Sequence, residues 1–161
     1  MRLVYLQTDT ALGPMLLAAG SEGLAGAWFA AQQHFPEMRA WQPSARHPVL
    51  QEAAEQLRAY FAGRRQSFDL PLHPCWGSAF QRAVWCALKR IPLGQTTHYG
   101  DLARQLQRPR AARAVGAAVG RNPWSVIVPC HRVVGANGSL CGYAGGMARK
   151  LALLRFEGIQ R

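Results

Sequence analysis

The segment Tyr99-Gly100-Asp101-Leu102-Ala103-Arg104-Gln105-Leu106 is followed by a break at Gln107-Arg108-Pro109 and then by a run from Arg110 to Gly120. The first segment predicts a short helix, and the run after the proline predicts a second helix that closes at Asn122-Pro123. A short helix, a turn and a second helix form the helix-turn-helix pattern. The C-terminal half of the chain is therefore predicted to be mostly helical.

The second predicted helix combines small side chains with positive charge. Its small residues are Ala111, Ala112, Ala114, Gly116, Ala117, Ala118 and Gly120. Tight packing against a neighbouring helix is one interpretation, and it is the better one for Val115 and Val119. For the helix as a whole we favour DNA as the partner, because Ala and Gly offer a core little area to bury and the arginines need a partner. The candidate DNA-binding residues are Arg110, Ala112, Arg113, Ala114 and Gly116.

The charge distribution also points to a polyanionic partner for this half. The chain has 161 residues and a formal net charge of +11. Residues 1–75 carry six arginines and six acids, whereas residues 76–161 carry eleven arginines and two lysines against only Asp101 and Glu157. Planar guanidinium groups suit phosphate contacts, and no basic amphipathic helix stands out. Nucleic acid therefore ranks ahead of a membrane surface.

The composition is typical of a folded protein that does not enter a membrane. Hydrophobic residues make up 49% of the chain and charged residues 17%. No apolar run reaches the roughly 18 residues that a membrane span requires. The first residues acquire an acid too early for the apolar core of a signal peptide. These features predict a cytoplasmic protein in a reducing setting.

The first half predicts an α+β unit. Three short apolar runs, Leu3–Leu6, Met15–Ala19 and Leu24–Phe29, are separated by glycine-containing turns and predict a small antiparallel sheet. Between Pro48 and Phe61, apolar residues recur at three- and four-residue spacing, which predicts a helix that packs on the sheet and ends at Gly63.

A boundary between two domains is predicted where the charge balance changes. The segment Pro71–Gly77 carries two prolines at this point. We therefore expect an N-terminal domain at 1–74 and a C-terminal domain at 75–161. The latter is predicted to begin with a helix from Ala79 to Arg90, capped by Ser78.

One further segment combines an apolar run with reactive side chains. The run Ser125–Val128 predicts a buried strand that ends at a proline and is followed directly by Cys130 and His131. The absence of CxxC and HxxxH pairs argues against disulfide, thioredoxin-like or zinc-finger uses of the cysteines. The four cysteines are Cys75, Cys86, Cys130 and Cys141. Cys130 is then either a reactive thiol or a buried inert one, and spacing alone favours neither.

Three features favour a reactive Cys130. Nearby cations favour the thiolate, the imidazole of His131 can remove the proton, and a late carboxylate, Glu157, can orient that imidazole. Because adjacent residues of an extended chain point to opposite sides, an interaction between Cys130 and His131 requires a bend or a bridging water. Glu157 is equally well interpreted as an acid that ends a helix before Gly158.

The run Pro129-Cys130-His131-Arg132-Val133 resembles the active-site motif of the O6-alkylguanine-DNA alkyltransferases, which repair alkylated guanine. Further segments match the family in order and spacing. They are Ala79–Trp85, Ile91–Thr96, Tyr99-Gly100, Ala111–Gly116, Arg121–Pro123, Gly142–Gly146 and Glu157-Gly158. The resemblance covers the whole second half, whereas the first half shares only the Leu12-Gly13-Pro14 turn and its flanking strands. It implies a ribonuclease-H-like N-terminal domain and a winged-helix-like C-terminal domain.

The resemblance also implies a single-turnover reaction in which a flipped guanine loses its alkyl group to the protein. It identifies Cys130 as the nucleophile and acceptor, His131 as a water-mediated base, and Glu157 as the carboxylate that orients His131. Asn122 resembles the residue that ties the second helix to the active-site turn. Tyr99 is similar to the tyrosine that donates to the ring N3 of the base.

The resemblance assigns the remaining site residues to the base and to the duplex. Arg113 matches the arginine that fills the gap left by the flipped nucleotide, on a helix that enters the minor groove. The carbonyl groups of Cys130 and Val133 and the amide of Ala144 resemble groups that recognise the edge of the base. The base pocket implied in this way consists of Tyr99, Val133, Tyr143, Ala144 and Gly145.

The expected partner is double-stranded DNA that contains alkylated guanine, with alkylated thymine as a second substrate. Because no cysteine precedes Cys75, the zinc site of some relatives is not expected, and we predict no metal and no cofactor. We expect a monomer that needs no protein partner and is able to cluster on DNA. Two alternatives remain: a lesion-binding protein that does not react, whose known examples usually carry tryptophan at the nucleophile position, and a helix-turn-helix regulator.

Overall fold

In the computed structural model, which describes residues 2–140 and 142–160, the apolar runs of the first half form three antiparallel strands. They are β1 (Val4–Thr10), β2 (Gly13–Gly20) and β3 (Gly23–Phe29). A short strand that the sequence did not predict, β4 (Gln42–Pro43), pairs in parallel with β1. The order of the sheet is β3-β2-β1-β4. The small N-terminal sheet expected from the sequence is confirmed.

Helix α1 (Pro48–Phe61) packs on this sheet, as the spacing of its apolar residues predicts. Its first turn is capped by His47, whose Nδ1 accepts a hydrogen bond from the Val49 amide at 3.2 Å. His47 thus satisfies one of the amide groups that a helix start leaves without a partner. Residues up to Cys75, together with Pro123–Ile127, form the first of two compact units.

The segment Ser125–Val128 is a turn and not the buried strand that the sequence predicted. Val126 adopts a φ of +71°, and the Ile127 amide donates to the Ser125 carbonyl at 2.8 Å. A left-handed φ is unusual for a β-branched residue and is incompatible with an extended strand. The apolar run is buried because the turn packs against β3, where Trp124 Nε1 donates to the Leu24 carbonyl at 2.9 Å. The run Ser125–Val128 is apolar because it is buried, and not because it forms a strand.

The second unit comprises Trp76–Asn122 and the residues from Val128 onward. Its elements are α2 (Ala79–Leu88), β5 (Thr97–His98), α3 (Tyr99–Gln105), α4 (Ala112–Gly120), a 3₁₀ turn (Cys130–Arg132), β6 (Val133–Val134) and α5 (Met147–Phe156). Helix α2 begins with a reciprocal capping box between Ser78 and Gln81. Trp85 on α2 donates from Nε1 to the Ala118 carbonyl of α4 at 2.8 Å.

Helices α3 and α4 form the predicted helix-turn-helix, with one difference at its turn. The sequence predicted that the second helix begins at Arg110, but α4 begins at Ala112. The Ala111 amide donates to the Arg108 carbonyl at 2.9 Å, so the residues before α4 belong to the turn. Arg110 therefore lies before the helix. In the part of the chain that the structure describes, no helix has the length and apolar character needed to cross a bilayer.

Candidate active site

The 3₁₀ turn brings three chemically active side chains into succession within the second unit. Cys130, His131 and Arg132 form the turn, and Val133-Val134 then pair in parallel with Thr97-His98. The chain is therefore bent at Cys130 and His131, and a bend is one of the two conditions that we expected an interaction between these residues to require. The chain bends at this point because Pro129 ends the preceding turn with a φ of −79° and a ψ of 64°.

The Cys130 thiol is buried and is held in its protonated form. Only 5% of the residue is exposed. Burial raises the pKa of the Cys130 thiol, whereas a hydrogen bond from the Asn122 side chain and the positive charge of Lys150 act in the opposite direction. The charge of Lys150 favours the thiolate, as expected of a nearby cation, but desolvation is the larger effect and the thiol stays protonated. Reaction at Cys130 requires a base.

Asn122 connects the end of the helix-turn-helix with the turn that carries Cys130. Its Nδ2 donates to the Val128 carbonyl at 3.0 Å, and its side chain also hydrogen-bonds the Cys130 thiol. Only 4% of Asn122 is exposed. The amide thus contacts both the thiol and the backbone two residues before it.

His131 forms a buried hydrogen-bonded pair with Glu157, the C-cap residue of α5. The distance from His131 Nε2 to Glu157 Oε2 is 2.9 Å. When Nε2 donates to the carboxylate, Nδ1 carries the lone pair of the neutral ring. Nδ1 is buried and has no hydrogen-bond partner among residues 2–140 and 142–160. Glu157 therefore both ends a helix, as one interpretation held, and contacts the imidazole, as the other held.

The imidazole of His131 is held neutral. Burial lowers the pKa of His131 from its ordinary value of 6.5, and the positive charges of Arg132 and Lys150 act in the same direction. The hydrogen bond and the negative charge of Glu157 oppose this shift without reversing it. A neutral imidazole next in sequence to a protonated thiol is the combination that general-base activation of a thiol needs.

The lowered pKa of His131 predicts that the protein loses stability in mild acid. As the pH falls through 6.5, the unfolded chain takes up a proton at this residue and the folded chain does not. The free energy of unfolding then falls by up to about 1.4 kcal/mol per pH unit. Urea unfolding measured at a series of pH values should show this slope, and His131→Gln should reduce it. The matched control is His34→Asn, which removes an exposed histidine. Asparagine is chosen because it tolerates the backbone φ of 61° at this position. An unchanged slope in His131→Gln would contradict the prediction.

Lys150 is a buried residue that the sequence reasoning missed. Its exposure is 0%, and its Nζ donates to the Val133 carbonyl at 2.6 Å and to the Gly142 carbonyl at 3.3 Å. Lys150 precedes Glu157 by seven residues, and Leu153 and Leu154 between them are also buried. This spacing places two charged residues on the buried face of one helix. The same periodicity in the sequence could have found Lys150.

The residues of the expected base pocket lie at the edge of this buried cluster. Val133 is fully buried and Gly145 is buried, whereas Tyr99, Tyr143 and Ala144 are half-buried. The Tyr99 ring lies beside α4, since a Cβ atom at Gly116 would be 3.6 Å from its Cδ1. The structure thus brings Tyr99 next to one of the expected DNA-binding positions.

The expected DNA-binding residues lie at the start and on one face of α4. Arg110, Arg113 and Ala114 are exposed, whereas Ala112 and Gly116 are half-buried. Val115 and Val119 are buried, as their interpretation as packing residues predicted. The exposed face of α4 therefore carries an arginine among small side chains. Of the cysteines, Cys75 is half-buried, Cys86 is exposed and Cys130 is buried, and Cys141 lies outside the described residues.

Comparison with known protein families gives matches to both halves of the chain. Residues 79–159 match the model of the 6-O-methylguanine DNA methyltransferase DNA-binding domain, and residues 3–74 match that of the ribonuclease-like domain of the same family. The chain thus has a ribonuclease-like sheet and a helix-turn-helix unit, and its buried thiol lies in sequence beside a histidine that contacts a carboxylate. These features define a class of two-domain proteins that carry a buried cysteine. The chain belongs to the 6-O-methylguanine DNA methyltransferase family, and the resemblance found in the sequence is confirmed.

Individual relatives agree with this assignment over nearly the full length. The methylated-DNA–protein-cysteine methyltransferase of Methanosarcina acetivorans is 46% identical over 157 residues, which cover 97% of this chain and 99% of the relative. That of Mycobacterium leprae is 46% identical over 149 residues, which cover 92% and 88%. The protein is therefore an enzyme of the methylated-DNA–protein-cysteine methyltransferase class.

Solved structures share the same architecture. The Mycobacterium tuberculosis O6-methylguanine methyltransferase matches with a TM-score of 0.87 at 44% identity, over 96% of this chain and 92% of that one. A Mycobacterium tuberculosis OGT structure in complex with DNA matches with a TM-score of 0.88 at 44% identity. The match also covers 96% of this chain and 92% of that one. The α+β fold predicted from the sequence is confirmed by these likenesses.

Proposed function

We propose that this protein repairs O6-alkylguanine in double-stranded DNA by transferring the alkyl group, once and irreversibly, to Cys130. The observation that carries the proposal is the buried Cys130 thiol, followed directly by a neutral His131 that is hydrogen-bonded to Glu157 at 2.9 Å. The same transfer extends to O4-alkylthymine, in which the alkyl group is also bound to an exocyclic oxygen of the base. Family membership and the names of the relatives support alkyl transfer as the reaction.

The reaction begins with removal of the thiol proton. The raised pKa of Cys130 keeps the thiol protonated, and the Nδ1 lone pair of His131 accepts the proton through a bridging water. The sulfur then attacks the alkyl carbon, so that an S–C bond forms as the bond from that carbon to O6 breaks. The electron pair of the broken bond stays on the guanine, whose ring N3 takes a proton from the Tyr99 hydroxyl. The proton held by His131 then returns through water to the Tyr99 oxygen, and the neutral guanine exchanges its N3 proton for one at N1 in solvent. The products are a thioether at Cys130 and an unmodified guanine.

The base reaches Cys130 only after it has left the duplex, because its O6 atom is stacked and paired inside the helix. Helix α4 enters the minor groove, and Arg113 occupies the space that the flipped nucleotide leaves. Its exposed position on a face of small side chains supports this role. The other DNA contacts come from Arg110, Ala112, Ala114 and Gly116. The DNA complex of the Mycobacterium tuberculosis relative also supports DNA as the partner.

The flipped base is recognised by a pocket made largely of backbone groups. Carbonyl groups of Cys130 and Val133 accept from the base, and the Ala144 amide donates to it, while Tyr143 and Gly145 line the pocket. In this scheme the whole site lies in the C-terminal domain at 75–161, and the N-terminal domain at 1–74 contributes none of its residues. The protein works as a cytoplasmic monomer, since a free thiol needs reducing surroundings, and it requires no cofactor.

The proposal is tested with duplex DNA that carries O6-methylguanine labelled in the methyl group. We expect label on the protein in a ratio of one methyl group per chain, and peptide mapping should place it on Cys130. The variant Cys130→Ala should take up none, whereas the matched control Cys86→Ala, which removes an exposed cysteine of α2, should react like the wild type. Lesion binding without label on the wild-type protein would overturn the proposal and favour a protein that binds the lesion without reacting.

Alkylation of Cys130 is expected to destabilise the folded protein. The thiol lies in a close-packed pocket, and added methylene groups in such a site cost about 1–3 kcal/mol. For a chain of this length each kcal/mol lowers the melting temperature by about 2–4 °C. Calorimetry before and after treatment with benzylguanine should show the decrease, and identically treated Cys130→Ala should show none. Equal melting temperatures for free and benzylated protein would contradict this expectation.

A further inference from the structure

Arg132 makes three hydrogen bonds within the buried cluster, yet the proposed reaction assigns it no task. Its Nε donates to Glu157 Oε1 at 2.8 Å, and its Nη2 donates to Glu157 Oε2 at 3.0 Å. Its Nη1 donates to the Ile91 carbonyl, which follows α2, at 2.6 Å. Only 7% of Arg132 is exposed. The side chain is therefore held by a two-point contact with the carboxylate and by the backbone of a different element.

We propose that Arg132 is a positioning residue for the transfer reaction, which fixes the Glu157 carboxylate for hydrogen bonding to His131 and keeps the imidazole neutral and able to accept the Cys130 proton. This role rests on the proposed transfer to Cys130. Arg132 itself touches neither the sulfur nor the base in this scheme, and it acts through Glu157.

The geometry gives Arg132 control over the orientation of the carboxylate. Two parallel N–H groups of one guanidinium contact both oxygens of Glu157, which sets the plane of the carboxylate. Oε2, the oxygen that accepts from Arg132 Nη2, is also the oxygen that faces His131 Nε2 at 2.9 Å. The contact with the Ile91 carbonyl prevents the guanidinium from following the carboxylate if the end of α5 moves. His131 thus keeps one orientation and one tautomer, with its Nδ1 lone pair available.

The charges around His131 show why Arg132 is needed, in addition to Lys150, to keep the imidazole neutral. The groups that face the imidazole are Glu157, which favours protonation, and Arg132 and Lys150, which oppose it. A buried histidine paired with a carboxylate alone would gain a proton readily, and an imidazolium cannot act as a base. Because Arg132 neutralises the carboxylate, Glu157 orients the ring without charging it. Burial is the largest cause of the lowered pKa of His131, and the charge of Arg132 adds to it.

The test uses Arg132→Gln, Arg132→Lys and the control Arg155→Gln, which removes an exposed arginine of α5. Single-turnover transfer from free benzylguanine is measured from about pH 5 to about pH 9, so that DNA binding plays no part. In Arg132→Gln the His131–Glu157 pair should take up its proton at higher pH, and the acid limb of the rate profile should move upward by about one pH unit. Arg132→Lys keeps the charge but loses the two-point contact, so transfer should be slower while the acid limb stays within about 0.3 units of the wild type.

A second readout separates this proposal from the proposed function. NMR titration of the His131 ring in the folded variants reports its protonation whether or not transfer occurs. An upward shift in Arg132→Gln, with none in Arg132→Lys or Arg155→Gln, is the expected result. If Arg132→Gln is slower at every pH but its acid limb and its His131 titration match the wild type, Arg132 is a structural residue only and the proposal is overturned. Failure of the wild-type protein to take up label from the O6-methylguanine duplex would instead refute the transfer to Cys130.

Discussion

Replacing Glu157 with glutamine is expected to lower the free energy of unfolding by about 3–5 kcal/mol, because the change leaves the guanidinium of Arg132 buried without its counter-charge. Both partners lie in the core, with Arg132 7% and Glu157 6% exposed, and two hydrogen bonds join them. The loss would remove a large part of the total stability of an ordinary domain, which is about 5–15 kcal/mol. Urea unfolding of the two proteins measures the difference.

A matched exposed pair distinguishes the effect of burial from that of charge. Glu55 contacts Arg58 at 2.7 Å on the surface of α1, and Glu55→Gln should cost at most about 1 kcal/mol. The double variant Arg132→Gln/Glu157→Gln removes both charges and should recover part of the stability lost in Glu157→Gln. A cost in Glu157→Gln no larger than that in Glu55→Gln would show that the buried pair does not depend on charge.

Replacing Arg113 with alanine is expected to slow transfer from duplex DNA by about 30- to 100-fold. Extruding a base costs a few kcal/mol, and the role proposed for the exposed Arg113 is to compensate for the lost stacking. Free benzylguanine needs no extrusion, so its transfer to Cys130 should be unchanged in Arg113→Ala. Rapid-quench kinetics with the two substrates on the same protein preparation measure this difference.

The matched control is Arg121→Ala, which removes another exposed arginine next to the end of α4. If Arg121 contacts a phosphate, its loss should weaken DNA binding and reduce the salt slope by about 0.9, without a selective loss of transfer from duplex. The role assigned to Arg113 fails if Arg113→Ala behaves in the same way. It also fails if the variant loses the same factor with the duplex and with the free base.

The elements that the sequence predicted best are those whose pattern is local. The spacing of apolar residues in α1 and the Ser78 cap of α2 depend on neighbours within a few positions, and both are confirmed. The strand predicted at Ser125–Val128 was wrong because burial and extension give the same short apolar run. Strand β4 has two residues and gains its hydrogen bonds from β1, which no local pattern indicates.

The candidate site also has features that the local sequence predicted and features that it did not. The residue types were apparent in the sequence, since Cys130 and His131 are adjacent and Glu157 is one of only two acids in the basic half. Their roles in catalysis and the pocket residues stay predictions. The pairing of Glu157 with His131 joins residues 26 positions apart and was only one of two interpretations.

Composition and periodicity were sufficient for the α+β architecture and the basic half, because each depends on residue type or on spacing along the chain. They left Cys130 as either a reactive or an inert thiol, and the resemblance of its motif to the family favoured the first. Folding in three dimensions was needed for the protonated state of Cys130, the neutrality of His131 and the contacts of Arg132 and Lys150. A pKa depends on burial and on charges brought close by other elements, and neither quantity exists until the chain has packed.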